Sequence, residues 1–541
     1  MGFHEYSKAI VEDYLGTVAY VDDLIFTNKK DTDAENLGKH EMREIATNGP
    51  TAKVEEDYKK TERQLVPNID PLTFTNAFLE KGIHCALLEL SENKSNFESI
   101  KKTLKKSDVI ILDWQMHSDL GRSACELVES ILSEDKNTSL SLRLLVIYTD
   151  QPVYNTLIHE SIVPIFDRLV ILYNVPESGT EIISGHTKII VFQKPKLGIA
   201  EDGKITGEDL PEKIIEEMSM LTEGLVSNLA IESISSIRKH THRLLAVYSN
   251  QLDPAYLSHK SLLPNTEDSK EQIIDLLGSE IKSIIKSTVT SDEKIILPLY
   301  FDQYYKGYLT DFILSNKEKF TIDLPDNISG EELLKITEVG IENYFLKKED
   351  PIEQQILFSK SCYKNLTTYY TNCREKAEQA NKEYAIITTL KSLTDSDEKH
   401  LSQGTILIED KTNQPNYWLC VQPKCDSVRI CTKKRDFLFL RLFIGDNQDR
   451  FDIVLPDGVK LTIDYRVFFS SLISFKSKAK GKVTSIVHNG QFKFEKGDNL
   501  KMIWLGELKN NFAQYVSNKF STQLSRVGID HFEWLRRSSI V

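Results

Sequence analysis

Five polar side chains stand where buried, strand-like runs of the sequence end. Asp22 and Asp23 close the first run, Asp113 closes the third, Thr149 the fourth and Lys194 the last. If these strands are parallel neighbours, their carboxyl ends open onto one crevice, which is where ligands bind in doubly wound sheets. The sequence therefore predicts one pocket that holds three carboxylates, a hydroxyl and an ammonium group.

The predicted pocket is suited to a metal ion and to phosphoryl chemistry. Three clustered carboxylates repel one another unless a cation lies among them. A ligand set made only of oxygens suits Mg²⁺, which binds one or two carboxylates together with a phosphate oxygen. A carboxylate at such a site can attack phosphorus and form an aspartyl phosphate. Lys194 would then pair with one phosphoryl oxygen, and Thr149 would move to donate a hydrogen bond to the new group. This movement would transmit the change in charge to the protein surface.

The segments between these residues predict alternating strands and helices. Strands are predicted at 17–26, 83–90, 107–116, 141–150 and 187–195, and helices at 72–82 and 122–132. This alternation favours a parallel sheet that is covered on both faces. Residues 28–70 are polar and contain few large apolar side chains before Leu65. They predict an insertion directly after the acidic pair.

The pattern closely resembles the receiver domain of two-component response regulators, over about residues 15–200. Its strongest segment is DWQMHSDLG, from Asp113 to Gly121, which has an Asp-x-x-Met followed by a glycine. The acidic pair, Thr149 and the dipeptide Lys194–Pro195 follow the family's order. The resemblance implies a flavodoxin-like doubly wound fold for this region.

The resemblance also implies a phosphoryl acceptor and a metal site. Asp113 would accept the phosphoryl group from a sensor histidine kinase. Asp23, Asp113 and the backbone carbonyl of Gln115 would bind Mg²⁺, and Asp22 would bind it directly or through water.

Three further residues take implied roles around the phosphoryl group. Thr149 and Lys194 would contact it, and the peptide bond between Lys194 and Pro195 would be cis.

The sequence departs from the family's pattern at three places. His117 replaces the proline that usually follows the Met, and Val191, beside Phe192, replaces the usual aromatic residue before the lysine. The segment between the hydroxyl and the lysine is longer than is usual and contains an apolar run at 166–175. This run predicts an extra strand or a rebuilt helix.

The pattern of apolar and polar residues changes twice along the chain. These changes predict a multidomain α/β plus α plus β fold. A receiver domain with the insertion at 28–70 is predicted at 1–200, and a helical region at 201–400. Residues 401–541 alternate strand-like runs with turn signals and end in a helical pattern, which predicts a β-rich, barrel-like domain with a C-terminal helix.

Charge is distributed unevenly over the 541 residues. The whole chain has a net charge of −13, which does not suggest a protein coated with nucleic acid. Residues 401–541, however, contain 22 Lys and Arg against 14 Asp and Glu, a net charge of +8. This basic end would bind a polyanion, an acidic partner or the acidic part of the same chain.

The sequence predicts a cytoplasmic protein without a membrane partner. The first residues include acids and lack the apolar core of a signal peptide, and no apolar run approaches the length of a membrane span. The seven cysteines are scattered, which fits a reducing compartment.

Three of the cysteines, Cys420, Cys425 and Cys431, lie close together in the sequence. They would bind Zn²⁺ if a fourth ligand such as His488 joined them, but no tight Cys-x-x-Cys pair is present. Core cysteines are the interpretation that the pattern favours, and metal binding stays open.

Residues 200–541 contain no Walker A, Gly-x-Gly-x-x-Gly, His-Glu-x-x-His or Gly-x-Ser-x-Gly motif. We therefore expect no catalysis beyond phosphorylation and dephosphorylation of the receiver, although an enzyme of unfamiliar fold stays an alternative. The architecture resembles the receiver-bearing buffer component of the Detocs antiphage two-component systems. That resemblance implies a phosphate sink or signalling partner, with a second receiver–effector protein fed by the same kinase. The alternative is a phosphorylation-switched response regulator whose residues 401–541 bind nucleic acid or a protein.

Overall fold

The computed structural model describes residues 2–25, 70–138, 141–150, 157–195, 203–264, 266, 268–288, 293–304, 330–346, 366–368, 370–371, 374–391, 398–409, 415–428, 430, 434–445, 451–477, 481–496 and 501–524. The chain divides into two compact units, Met1–Gln303 and Tyr304–Val541. The predicted division at 200 and 400 stays a prediction. Apart from Asp70, the predicted insertion at 28–70 lies outside the described residues.

The first unit contains a six-stranded sheet in the order β2-β1-β3-β4-β6-β5. Its strands are β1 (Thr17–Asp22), β2 (His84–Glu89), β3 (Val109–Asp113), β4 (Arg143–Thr149), β5 (Glu181–Ser184) and β6 (Thr187–Gln193). All neighbours pair in parallel except β5, which is antiparallel to β6. The order is that of a flavodoxin-like sheet with one added edge strand, so the predicted fold class is confirmed.

Helices cover both faces of this sheet. The helices up to residue 304 are α1 (Phe3–Tyr14), α2 (Pro71–Glu80), α3 (Phe97–Leu104), α4 (Arg122–Thr138), α5 (Val163–Leu169), α6 (Leu210–Thr222), α7 (Leu225–Val247), α8 (Asp253–Leu262), α9 (Asp268–Thr288) and α10 (Glu293–Tyr304). One buried core joins the sheet to α3, α4 and α5, and the other joins it to α1, α2, α6 and α7. Burial on both sides explains why β1, β3 and β4 are almost continuously apolar.

Helix α6 supplies the cover for the last parallel strand. Leu210, Ile214 and Met218 belong to the same buried core as Ile190 and Phe192 of β6. Because α6 begins at residue 210, part of this core comes from beyond the region that resembles a receiver.

Asp108 aligns the amino ends of β1 and β3. Its carboxylate oxygen Oδ2 accepts hydrogen bonds from the backbone N–H groups of Gly16 and Thr17, each at 3.0 Å. Its other oxygen accepts one from Arg238 of α7 at 2.7 Å. In the resulting register Val21 pairs with Leu112, so the two strands end at the same level.

The long segment before β6 contains both a helix and an extra strand, the two alternatives that its apolar run predicts. Helix α5 follows a π-helical turn at Ile158–Ile162, and it ends where Val170 adopts a left-handed backbone with φ 53°. The extra strand is β5 and lies after the apolar run 166–175. Asn174, within that run, pairs with Ile183 as an isolated bridge.

The second unit is dominated by an antiparallel sheet. Its strands are β7 (Thr405–Glu409), β8 (Tyr417–Cys420), β9 (Lys434–Ile444), β10 (Ile453–Val454), β11 (Lys460–Ile463), β12 (Ser470–Lys476), β13 (Ile486–His488), β14 (Gln491–Glu495) and β15 (Lys501–Glu507). They are ordered β10-β11-β9-β8-β7-β15-β14-β13, and β12 also pairs with β9. The helices described in this unit are α11 (Gly330–Val339), α12 (Ile341–Leu346), α13 (Arg374–Thr389) and α14 (Asn510–Leu524).

The sheet of the second unit closes on itself. An isolated bridge between Phe475 and Lys496 joins the end of β12 to the end of β14. The circuit β12-β9-β8-β7-β15-β14 therefore encloses a core that includes Phe437, Phe439 and Phe494. A second core outside the circuit is covered by side chains of α14. The predicted barrel-like β domain with a C-terminal helix is thus present.

Across the described residues, no helix combines the length and the apolar character that a membrane crossing requires.

Candidate functional site

Three aspartates meet at the carboxyl edge of the first sheet. Asp22 ends β1, Asp23 follows it, and Asp113 ends the neighbouring strand β3. One carboxylate oxygen from each lies within 4.8 Å of the other two. Asp22 and Asp113 are buried, with 0% and 2% of their surfaces exposed, and Asp23 is partly exposed. Among the residues that the structure describes, no other trio of His, Cys, Asp or Glu meets in this way.

Lys194 reaches into this cluster from the residue after β6. Its ammonium nitrogen Nζ lies 2.6 Å from Oδ1 of Asp113 and 3.9 Å from Oδ2 of Asp22. Burial acts to lower the pKa of Lys194, but the charges of Asp113 and Asp22 outweigh it and raise that pKa. Lys194 is therefore held charged between two carboxylates.

Asp113 has a strongly shifted pKa in the absence of a metal ion. Burial, opposed by Lys194 and reinforced by Asp22, raises the pKa of Asp113 to about 7. Burial is the largest cause of this shift, and the attraction of Lys194 only partly offsets it. A bound divalent cation would favour the ionised form and lower this pKa.

Both oxygens of Asp22 already accept hydrogen bonds. The hydroxyl of Tyr20 donates to Oδ2, and the backbone N–H of Leu24 donates to Oδ1 at 3.1 Å. Tyr20 is fully buried, and burial together with Asp22 raises its pKa well above the ordinary value. Asp22 is thus held rigidly, and Tyr20 is part of the site although the sequence did not single it out.

His117 holds Asp23. Its backbone N–H donates to Oδ2 of Asp23 at 2.6 Å, and its ring nitrogen Nδ1 lies 3.4 Å from the same oxygen. The other ring nitrogen, Nε2, lies 2.9 Å from the carbonyl oxygen of Leu90. Burial, opposed by the His117 N–H, raises the pKa of Asp23. His117 has φ 51°, a left-handed conformation that proline cannot adopt, so the departure from the family's proline changes the loop itself.

The loop after β3 closes around a tryptophan. Gly121 has φ +83°, and a Cβ atom there would lie 2.1 Å from the indole ring of Trp114. Asp119 accepts hydrogen bonds from the N–H groups of Gly121, at 3.0 Å, and Ser123, at 2.7 Å. Glycine is required at 121 for its backbone conformation and for its lack of a side chain, and the packing sets the path of the loop from Asp113.

The remaining predicted residues have different outcomes. Thr149 is buried at the end of β4, and its carbonyl oxygen accepts the Lys194 N–H at 2.8 Å. Gln115 is partly buried in the loop, and its role as a carbonyl ligand stays a prediction. The prediction of a cis bond before Pro195 is wrong, because the described residues contain no cis peptide bond. The bond has the trans form that X–Pro bonds generally prefer.

The three cysteines, whose metal binding the sequence left open, form no metal-ligand cluster among the described residues. Cys420 is buried in the barrel core, and burial raises its pKa to about 12. Cys425 is exposed, His488 ends β13, and Cys431 lies outside the described residues. Cys420 is a core cysteine, as the sequence pattern favours.

The residues of the first site fit a hard divalent cation. The three aspartates offer only carboxylate oxygens, and Mg²⁺ prefers such ligands and keeps several waters. The buried ammonium of Lys194 stands beside them, where it can balance an additional anionic group. This combination suits the binding of Mg²⁺ and a phosphoryl group together.

Residues 14–198 match the family model described as a response receiver domain. This part of the chain is therefore a receiver domain, and domains of this family accept a phosphoryl group on an aspartate. Comparisons with curated proteins and with solved structures gave no match.

Two contributors to the site had only weak signals in the sequence. Tyr20 stands two residues before Asp22, and residues two apart share one face of a strand, so its contact with Asp22 was accessible in principle. The hydrogen bond from His117 to Asp23 depends on a left-handed backbone at His117, and a single histidine in the sequence does not predict that conformation.

Proposed function

We propose that this protein accepts a phosphoryl group on Asp113 from a sensor histidine kinase. The observation that carries the proposal is the buried contact of 2.6 Å between Lys194 and Asp113, set within an acidic trio in a receiver domain. The reaction needs a nucleophilic carboxylate, a cation for the phosphoryl charge and shelter from water, and this crevice offers all three.

Asp113 is the nucleophile in this reaction. One of its oxygens forms a bond to phosphorus while the bond between phosphorus and the kinase's imidazole nitrogen breaks. The imidazole keeps the electron pair and takes a proton from water. Lys194 contacts Oδ1, which leaves Oδ2 as the attacking oxygen. After transfer the Lys194 ammonium pairs with a phosphoryl oxygen, and the Thr149 hydroxyl donates to another.

Mg²⁺ would be held by Asp23, Asp113 and the backbone carbonyl of Gln115. Asp22 would bind it directly or through a water molecule, while Tyr20 and Leu24 fix the orientation of its carboxylate. The bound ion would neutralise charge on the phosphoryl group as it transfers.

The first experiment is phosphorylation by a small phosphoryl donor with Mg²⁺, read out by intact mass. We expect one added phosphoryl group on the wild-type protein and none on Asp113→Asn, which keeps the size of the side chain but removes the nucleophile. Transfer to the Asp113→Asn variant, or none to the wild type with a donor that labels another receiver, would contradict the proposal.

The finer proposal concerns what the phosphoryl group is for. We infer a phosphate sink or signalling partner in a bacterial antiphage two-component system, in which the kinase also feeds a second receiver–effector protein. This role is supported by the resemblance of the chain's architecture to the Detocs buffer component and by the lack of a recognised catalytic motif after residue 200.

A competition experiment tests the sink. The phosphorylated kinase is mixed with the effector's receiver, with and without this protein, and labelled phosphate on each is followed in time. A sink lowers effector phosphorylation in proportion to its concentration, whereas Asp113→Asn has no effect. An unchanged effector signal in the presence of phosphorylated wild-type protein would exclude the sink.

The alternative is a response regulator whose output is binding. The observation that favours it is the basic second unit, where residues 401–541 carry a net charge of +8. In that case phosphorylation of Asp113 would change the affinity of residues 401–541 for nucleic acid or a protein, while the effector signal would remain unchanged.

A further inference from the structure

At one end of the barrel, aromatic rings and basic side chains lie together in the described part of the chain. Phe437 and Phe439 of β9 point into the barrel, and alternation along the strand places Arg441 and Phe443 on the same side, beyond the start of β12. Thr462 of β11 pairs with Phe443, so Lys460 shares this side as well. We name this surface the mouth face; it comprises Arg441, Phe443, Phe451, Lys460, Arg466 and Phe468.

Phe468 is the most prominent ring of the mouth face. It is 69% exposed and lies in a short 3₁₀ turn at Val467–Phe469. The turn is anchored because Phe469 packs edge-on against Phe443, with ring centroids 4.9 Å apart. The Phe468 ring is 4.3 Å from that of Phe469, also centroid to centroid. An exposed aromatic ring is therefore held in place by the two rings behind it.

Each ring at the mouth face has a cation beside it. The Arg466 guanidinium carbon lies 4.9 Å from the Phe468 centroid and 4.8 Å from that of Phe469. Arg441 lies 5.3 Å from the Phe443 centroid. The ammonium of Lys460 lies 5.1 Å from the centroid of Phe451, a ring that is exposed.

The charges of the mouth face favour an anionic ligand. Asp464 is paired with Arg466, which lowers the pKa of the carboxyl, so part of the arginine's charge is balanced. Arg441 donates a hydrogen bond to the neutral side chain of Asn416 at 2.9 Å. The face belongs to a segment, residues 401–541, with a net charge of +8.

We infer that the mouth face binds single-stranded nucleic acid, independently of phosphorylation at Asp113. Bases stack on exposed aromatic rings, and flanking lysines and arginines attract the phosphates. Duplex nucleic acid hides the flat faces of its bases inside the stack, so it cannot use Phe468 in this way. An acidic protein would use the charges but gain less from a flat ring beside a guanidinium group.

The test uses the full-length protein and a fluorescently labelled single-stranded oligonucleotide of mixed sequence, in DNA and RNA forms. Fluorescence anisotropy gives the affinity over a series of salt concentrations. We expect binding that weakens as salt rises, and weaker binding to the same sequence as a duplex. No binding at low salt would overturn the inference.

Two variants separate stacking from charge. Phe468→Ala should weaken binding about tenfold at every salt concentration, because one stacked base is lost. Arg441→Ala should weaken binding and also reduce the salt slope by about one phosphate contact. Unchanged binding by Phe468→Ala would overturn the placement of the site.

Two controls complete the design. Leu472→Ser removes an apolar side chain that is 70% exposed on β12, and it should leave the affinity unchanged. An equal loss in Leu472→Ser and Phe468→Ala, or displacement of the oligonucleotide by polyglutamate as effective as by unlabelled oligonucleotide, would indicate a general sticky or polyanion surface and overturn the inference. Asp113→Asn should bind normally, so this result is independent of the phosphorylation experiment.

Discussion

The receiver crevice and the barrel mouth both bring cations and aromatic rings together, in opposite surroundings. Lys194 lies 5.8 Å from the ring of Tyr148 and is 2% exposed, enclosed by carboxylates. Arg466 lies closer to its rings but faces water. In the crevice, burial raises the pKa of Asp113, the carboxyl group that Lys194 contacts at 2.6 Å. At the mouth face, Arg441, Arg466 and Phe468 are exposed to water, which suits them to binding a ligand.

The largest expected effect comes from removing Lys194, the buried cation of the receiver crevice. Lys194→Met leaves Asp22 and Asp113 buried without their lysine, so we expect a loss of about 3–5 kcal/mol in the free energy of unfolding. Mg²⁺ should restore more stability to this variant than to the wild type. Urea denaturation with and without Mg²⁺ measures both effects.

A matched control for that variant is available in the same sheet. Lys188 of β6 is also buried, with its ammonium 2.7 Å from Glu181 and 2.6 Å from Glu217. Lys188→Met should destabilise the protein by a similar amount without any rescue by Mg²⁺. Equal Mg²⁺ rescue of both variants would mean that the crevice has no special affinity for the ion.

The comparison also predicts a dependence on pH. Without a divalent cation the pKa of Asp113 is about 7, against about 3.9 in an unfolded chain. Because the folded state holds this proton more tightly, the resulting stability is fully present below about pH 4 and is lost as the pH rises to 7. Relative to Asp113→Asn, the wild type should therefore lose up to about 4 kcal/mol over this range.

Urea titrations in a chelator at a series of pH values would show that loss. Mg²⁺ should reduce it, because the ion favours the ionised carboxylate. A constant difference between wild type and Asp113→Asn from about pH 5 to pH 8 would show that Asp113 is not perturbed by its surroundings.

A smaller effect is expected in the loop that follows the acceptor. Gly121→Ala puts a Cβ atom 2.1 Å from Trp114 at a left-handed backbone position, and we expect a loss of about 3 kcal/mol. Gly185→Ala is the matched control, since Gly185 has φ +57° but open space around it, and it should lose only about 1 kcal/mol. Equal losses of stability in the two variants would show that the left-handed backbone alone, and not the contact with Trp114, accounts for the effect of Gly121→Ala. Thermal or urea unfolding followed by tryptophan fluorescence makes the measurement.

The smallest effect concerns the thiols of the second unit. Cys425 is exposed, whereas Cys420 is buried with a pKa of about 12, so iodoacetamide at mildly alkaline pH should label Cys425 and spare Cys420. Trypsin cleaves after Lys424 and places the two cysteines in separate peptides, which mass spectrometry can quantify. Labelling of Cys420 in the folded protein would show that the barrel core opens readily.

The strands and their terminal aspartates could be predicted because each signal is local. A buried strand that ends in Asp22 or Asp113 combines an apolar run with a charge, and the parallel sheet brings such ends together. The left-handed backbone of His117 could not be predicted in this way, because it depends on how the surrounding chain packs. The trans bond at Pro195 follows the general preference of X–Pro bonds, which the family resemblance led us to set aside. The closure of the barrel through Phe475 and Lys496 likewise depends on long-range pairing.

Helix α6 has a consequence for the order in which the chain folds. Its residues Leu210, Ile214 and Met218 share a core with Ile190 and Phe192 of β6. During synthesis the last parallel strand therefore emerges before the helix that shields it. Domains fold as units, and exposed apolar sheet surface promotes aggregation. The face of β6 that carries Ile190 and Phe192 therefore stays uncovered in the nascent receiver until residue 222 has left the ribosome.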